Sequence, residues 1–244
     1  MKILVNGACG RMGAALIKRI EVSEDLELAC GVDVRADGSD ARIVNAFPAQ
    51  TDAGVIIDFS HHSCTNELLE YAVGHSIPVV VATTGQTEDE MAAIFSAAEK
   101  IPVFYSANMS MGIAITAQFA RRVAELMPDA EIEIVETHHD QKLDSPSGTA
   151  LLLAERIKEV RPGSVIVCGR SGHGKREKNE IGIHSLRLGG VVGEHSVIFD
   201  NGEESITVTH RAGDRSLFAA GALKAARFLA GRAKGLYDMR DVVE

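Results

Sequence analysis

Apolar residues in the first hundred positions fall in short runs separated by segments of helical period. Ile3-Leu4-Val5 predicts a short buried strand, followed by a helix over residues 14–20 and a second strand over residues 26–33. Val55-Ile56-Ile57 precedes a helix over residues 65–73, and Val79-Val80-Val81 precedes another over residues 88–99. Residues 102–105 supply a further strand. Short β-branched runs alternating with helices predict an α/β domain with a Rossmann-like, doubly wound parallel sheet. Residues 33–47 fit neither period, so one unit of the alternation is expected to shrink to a loop there.

Beyond residue 130 the period changes. Glu-Ile-Glu-Ile-Val-Glu at residues 131–136 alternates like a half-buried strand, and residues 149–160 read as a helix. Strand-like runs follow at 165–167, 180–187, 195–199 and 205–210 with few helices between them. This succession predicts an α+β domain whose open sheet is mixed or antiparallel. A final helix over residues 217–230 is free to pack back on the first domain. No element is assigned between residues 109 and 130. Residues 170–178, rich in glycine and charge, are expected to form a mobile loop.

Composition narrows the partners. A formal net charge of −9 over 244 residues argues against nucleic acid or an anionic membrane, while a local basic pocket still suits a small anion. Cys9, Cys30, Cys64 and Cys168 lie far apart with no C-x-x-C pair, a pattern of reduced thiols in a cytoplasmic protein rather than of disulfides or zinc. The opening apolar run breaks at Gly7, too early for a signal peptide. No apolar run reaches the roughly 18 residues of a membrane span. A cytoplasmic protein with no membrane partner is expected.

The candidate chemistry sits in two places. Gly7-Ala8-Cys9-Gly10-Arg11-Met12-Gly13 follows the first strand and opens the first helix, where glycines let backbone approach a pyrophosphate at a helix N-terminus. Asp33, at the end of the second strand, suits a ribose hydroxyl, and Arg35 suits a 2′-phosphate. Ala82-Thr83-Thr84-Gly85 and Ser106-Ala107-Asn108-Met109 follow later strands at the edge where open α/β sheets bind ligands. The second place is Glu136-Thr-His138-His139-Asp-Gln-Lys142-Leu-Asp144-Ser-Pro-Ser147-Gly148-Thr149-Ala150. The two histidines end a strand and should point to opposite faces, Lys142 follows after a turn, and Ser147 reads as the N-cap of a helix. An imidazole, an ammonium and a helix start together suit a small acid and a proton transfer. Arg187, Arg215, Lys175 and Arg176 are further cations for an anion pocket, each by itself more in keeping with a solvated surface. No metal is expected, since no other ligand lies at a usual spacing, although His61-His62 leaves that alternative open.

These motifs together carry a resemblance. V-x-G-x-x-G-R-M-G at 5–13, T-T-G at 83–85 and E-x-H-H-x-x-K-x-D-x-P-S-G-T-A at 136–150 resemble the 4-hydroxy-tetrahydrodipicolinate reductase (dihydrodipicolinate reductase) family. V-G-E-H at 192–195 and G-L-Y-D-M at 235–239 are similar to it too, so the likeness runs from end to end. The resemblance implies an NADH- or NADPH-dependent oxidoreductase of the diaminopimelate route to lysine. Its substrate would be a small dicarboxylate, 4-hydroxy-tetrahydrodipicolinate, reduced via dihydrodipicolinate to tetrahydrodipicolinate. It implies a homotetramer, a dinucleotide-binding domain from residues 1–108 and 216–244, and a substrate-binding and oligomerisation domain from residues 109–215.

Carried over by position, the cofactor is lined by Gly7, Ala8, Cys9, Gly10, Arg11, Met12, Asp33, Ala82, Thr83, Thr84, Ser106, Ala107, Asn108 and Met109. His138 is the acid/base residue and Lys142 its cationic partner. His139, Gly148 and Thr149 hold the substrate carboxylates, with Arg215. The chain departs from the pattern at Ala82, where relatives often have Gly, at Met109, often Phe, and at Gly190, often an acid. Val34 stands where a basic residue often follows the acid, which leaves the choice between NADH and NADPH open. Two other readings are a different small-acid dehydrogenase of aspartate type and a redox-sensing dinucleotide module. The central motif disfavours the first. The second needs an interaction or DNA-binding segment that this acidic chain does not display.

Overall fold

Residues 1–243 are described by the computed structural model. In chain order the elements are β1 (Lys2–Asn6), α1 (Arg11–Glu21), β2 (Glu27–Val32), β3 (Ile43–Val44), β4 (Val55–Asp58), α2 (Thr65–Gly74), β5 (Val79–Val81), α3 (Glu88–Ala98), β6 (Pro102–Tyr105) and α4 (Met111–Leu126). There follow β7 (Glu131–His138), α5 (Gly148–Lys158), β8 (Val165–Cys168), β9 (Glu180–Arg187), β10 (Gly193–Asp200), β11 (Ser205–Ala212), α6 (Ser216–Leu229), β12 (Gly235–Tyr237) and α7 (Met239–Val243). The chain divides into two units: Met1–Ser110 with the chain from Ser216 onward, and Met111–Arg215.

The first unit is the doubly wound sheet that the alternation predicts. Its seven strands run in the order β12-β6-β5-β4-β1-β2-β3, and every pairing is parallel. The order reverses between β1 and β4, the switch point at which such sheets open a crevice beyond the strand ends. Leu4, Ile56, Val79 and Val103 of the sheet pack on Leu68 and Ala72 of α2 and on Ile94 and Ala97 of α3. Each fully buried aliphatic chain contributes roughly 1.5–3 kcal/mol. α3 starts with a reciprocal capping box between Thr87 and Glu90, a strong local reason for its position. Within residues 33–47, expected to be loop, the chain still contributes the two-residue edge strand β3.

The second unit has a five-stranded sheet in the order β11-β10-β7-β9-β8. β8, β9 and β7 pair in parallel, whereas β10 runs antiparallel to both β7 and β11. The sheet is therefore mixed. One face, with Ile132, Ile134, Ile181, Ile183, Val197 and Phe199, is covered by α4 and α5. α4, like β12 and α7 of the first unit, is an element that the pattern did not announce. Beside Ile113 its buried face is small (Thr116, Ala117, Ala120, Ala124), which lets the helix sit close to its neighbours. The loop over residues 170–178 is fastened at Arg176, which donates to the Glu133 carboxylate and to the carbonyls of Ile132 and Glu180. Arg176 is thus not the solvated cation expected from composition, while residues 171–175 of the same loop are exposed and irregular.

Candidate active site

The first unit builds its site from backbone. Gly7 turns the chain with φ +81°. A Cβ on Gly7 would lie 2.4 Å from the Phe59 carbonyl oxygen, and one on Gly13 would lie 2.2 Å from that of Gly7. Glycine at both positions is thus what lets α1 start against the end of β1. α1 begins after Gly10 with no side-chain cap and no acidic residue in its first turn, so its positive end is suited to an anion. Ala8 is buried beneath the turn, Gly10 and Met12 are half-buried, and Cys9 and Arg11 are exposed.

Asp33, just past β2, is tied to this turn. It accepts from the Cys9 N–H at 2.9 Å and from the N–H, Nε and Nη2 of Arg35 at 2.9, 3.0 and 3.0 Å. The Arg35 contacts hold its carboxyl below the usual carboxylate range against the opposing push of burial. A cavity of about 310 Å³ opens here, with Asn6, Gly7, Gly10, Asp33, Arg35 and Ser60 in its wall.

Two more loops leave the same edge of the sheet. Ala82 donates its N–H to the Asp58 carbonyl at 3.0 Å, Thr83 is buried and Thr84 exposed. Ser106 donates to the Asn108 carbonyl at 2.9 Å and Ala107 is exposed, but Met109 is only 2 % exposed, a core side chain. Between the Ala82 loop and the glycine turn lies a carboxylate that sequence reasoning passed over. Asp58 is buried at the end of β4, where its Oδ1 accepts from Asn6 Nδ2 (2.8 Å), the Ser60 N–H (3.2 Å) and Ser60 Oγ (2.6 Å). Burial pushes its carboxyl up, against those hydrogen bonds. His61 and His62 pair locally, with Ser63 at 2.9 Å and Glu90 at 3.0 Å. Among the described residues, no group of three His, Cys, Asp or Glu side chains is placed to hold a metal ion.

The second unit builds its site from side chains. The even positions of β7 face the core, so Glu136 and His138 follow Ile132 and Ile134 onto the buried face. His138 Nδ1 meets Glu136 Oε2 at 2.5 Å. Arg187, at the end of the neighbouring β9, forks onto both oxygens of Glu136 at 3.0 Å each and donates to the Asp144 carbonyl at 2.6 Å. Arg187 is therefore not a surface charge. It clamps a buried carboxylate and ties the loop after His139 to the sheet.

α5 is entered through a cis Ser145–Pro146 bond and capped by Ser147, whose Oγ accepts from the Ala150 N–H at 3.2 Å. The Ser147 N–H donates to Glu136 and its Oγ lies 3.0 Å from His195 Nε2. His195 packs edge-on to His138 at 5.1 Å between centroids. Burial first, then the charge of His138, lowers His195 to about 4. Gly148 opens α5 with nothing within 4 Å of where a Cβ would stand, and Thr149 follows it. His139 leaves the strand partly exposed and its Nε2 lies 3.2 Å from Arg215 Nη2. Lys142 turns back to Asp144 at 2.7 Å, a partner that the spacing did not announce.

Glu136 and His195 thus join the residues singled out from sequence, and Ser147 and Arg187, read there as a cap and a surface cation, belong to the same cluster. Parity along β7 was the available signal for Glu136, since it shares the phase of two isoleucines. His195 shares the phase of Val197 and Phe199 in the same way.

Comparison with known proteins adds the following. The family model for dihydrodipicolinate reductase, N-terminus, matches residues 1–109, and that for dihydrodipicolinate reductase, C-terminus, matches residues 112–243. The 4-hydroxy-tetrahydrodipicolinate reductase of Caldanaerobacter subterraneus subsp. tengcongensis is 41% identical over 247 residues, covering 100% of this chain and 98% of that protein. A dipicolinate-bound dihydrodipicolinate reductase from Paenisporosarcina sp. TG-14 superposes with a TM-score of 0.79 at 26% identity, over 98% of this chain and 97% of that one. An aspartate dehydrogenase from Thermotoga maritima, 12% identical over 96% of this chain and 98% of that one with a TM-score of 0.54, shares the fold alone.

Proposed function

The chain belongs to the dihydrodipicolinate reductase family, and we propose that it reduces 4-hydroxy-tetrahydrodipicolinate, via dihydrodipicolinate, to tetrahydrodipicolinate on the diaminopimelate route to lysine. The observation that carries this reading is the side-chain cluster of the second unit. A proton-transferring imidazole, a cation-backed second imidazole and a helix start with open space at Gly148 suit a small dicarboxylate. The dipicolinate held by the solved relative is such a ligand.

The family uses NAD(P)H, and the first unit fits it: an uncapped, glycine-built helix start, with an acid and a guanidinium in the wall of the adjoining cavity. Gly7, Ala8, Cys9, Gly10, Arg11 and Met12 would hold the pyrophosphate, Asp33 and Arg35 the adenine-side ribose, and the loops at Ala82–Thr84 and Ser106–Met109 the nicotinamide side. Bound NAD(P)H supplies the hydride that such a reduction adds at C4 of the conjugated cyclic imine. His138 delivers the matching proton to C3, a role in which acid–base catalysis contributes about 10²–10⁴-fold. Lys142 stabilises negative charge developing at the ring nitrogen or a carboxylate. His139, Thr149, Gly148 and Arg215 hold the carboxylates. Loss of water from the hydroxylated substrate precedes the reduction.

The enzyme is cytoplasmic and homotetrameric on this reading. Its four cysteines are free, and among the described residues no helix is long and apolar enough to cross a membrane. Val135, Leu186 and Ile198 lie on the sheet face opposite α4 and α5, a surface such an assembly would cover.

The test is steady oxidation of NADH and NADPH with the cyclic imine, absent without it, run beside His138→Gln. Turnover should fall far more than cofactor affinity. No oxidation with either cofactor would reject the assigned reaction, and unchanged turnover in the variant would reject the proton donor.

A further inference from the structure

Glu136 has no exposed surface and no part in the chemistry above. Burying a carboxylate is costly unless it is paired and fully hydrogen-bonded. The compensation here is thorough: two hydrogen bonds from Arg187, one from the Ser147 N–H and one from His138 Nδ1. Burial alone would raise the carboxyl, but hydrogen bonds led by Arg187 and His138 bring it down to about 2.

An ionised carboxylate only accepts, so the nitrogen of His138 facing it carries a proton whether the ring is neutral or charged. Proton exchange is left to Nε2, which takes no hydrogen bond among the described residues. Gly193 faces that nitrogen, and a Cβ on Gly193 would lie 3.1 Å from Nε2 and 3.4 Å from Cδ2. The other titratable groups around the ring are His195 on β10, kept neutral by burial, and Lys142 in the following loop, whose charge acts on His195. Arg187 on β9 reaches the ring only through Glu136. Among the described residues, Glu136 is thus the one anion hydrogen-bonded to His138.

We infer that Glu136, clamped by Arg187, is the positioning residue that fixes the tautomer and ring orientation of His138 and stabilises its protonated form for delivery from Nε2. This rests on the proton-donor reading of His138. Three variants test it: Glu136→Gln, His138→Gln and the double variant. Glu136→Gln should lower kcat about 10²-fold, leave the KM for NADH unchanged and move the alkaline limb of the rate profile to lower pH. The double variant should be no slower than His138→Gln, because Glu136 acts through that ring. Losses that multiply, or an unmoved pH limb, would overturn the inference. If His138→Gln alone keeps full turnover, it is the proton-donor reading that fails. Should Glu136→Gln not fold, ¹⁵N spectra of the histidine rings in the unaltered protein decide the matter. The Nδ1–H tautomer of neutral His138 is expected, and the Nε2–H tautomer would refute the contact.

Discussion

Asp58 in the first unit and Glu136 in the second are both buried beside a candidate ligand site, and the two are handled in opposite ways. Asp58 in the first unit is met by an amide and a serine, all uncharged, and burial pushes its carboxyl up. Glu136 in the second unit is met by a guanidinium and an imidazole, and stays ionised down to about 2 although it too is buried. The difference follows the work of each site. At Asp58 a strand end and its loop need only be tied together, which neutral hydrogen bonds accomplish. The buried Asp33 at the same site takes its counter-charge from Arg35. A proton-transfer site needs a fixed charge, and a fixed charge in the interior needs a counter-charge. One site is therefore vulnerable to added atoms and the other to lost ones.

The sharpest break of this contrast is Arg187→Met. It leaves Glu136 buried without its guanidinium and should cost about 3–5 kcal/mol, read as a lower urea midpoint. Adding Glu136→Met to it should recover part of the stability but none of the turnover, separating the pair's structural cost from its use. A stable single variant would mean that water already solvates the carboxylate.

Acid should expose the same asymmetry. His195 is lowered from 6.5 to about 4 and Glu136 from 4.5 to about 2. Unfolding lets both take up protons, so their contributions are complete above pH 6.5 and 4.5 respectively. They fade as pH falls to about 4 for the first and about 2 for the second. Each window is worth about 3 kcal/mol at most. Urea midpoints should fall in two stages on acidification, and His195→Asn should erase the earlier one. A flat profile between pH 6.5 and 4.5 would contradict the neutral, buried state of His195.

Added atoms probe the other side of the contrast. Gly7→Ala places a Cβ 2.4 Å from a carbonyl at a left-handed φ, for an expected loss of about 2–4 kcal/mol. Gly148→Ala meets open space, so it should stabilise by up to about 1 kcal/mol. On the proposed function it should nevertheless raise the KM for the dicarboxylate.

Much of this was legible because it has a period or a spacing. The alternation of residues 1–105 carries the parallel sheet, and the run at 180–187 coincides with β9. Ser147 was readable as a cap from its place before a helical run. α4 went unassigned although its buried residues recur at helical spacing (Ile113, Thr116, Ala117, Ala120, Ala124), because a threonine and three alanines do not stand out as a hydrophobic run. Arg187 and Arg176 were misread as solvated because their partners lie on another strand. Their pairing depends on the β7–β9 register, which local pattern does not encode. Lys142 shows the same limit at short range, since proximity to Asp144 was visible but the return of the loop was not.

The smallest effect belongs to Asp58→Asn, and it tests the comparison most directly. Asparagine keeps an oxygen for Asn6 and Ser60 and removes only a charge that burial already disfavours. At neutral pH the stability should change by less than about 1 kcal/mol, whereas the loss of Arg187 opposite Glu136 is several times larger. The pH dependence should also have the reverse sign. A carboxyl raised in the folded state contributes most when protonated, so the native protein should gain on the variant as pH falls. Urea midpoints of both proteins at neutral and mildly acidic pH give that difference. A loss at neutral pH as large as that of Arg187→Met would show that Asp58, too, is a fixed charge, and the contrast between the two sites would collapse.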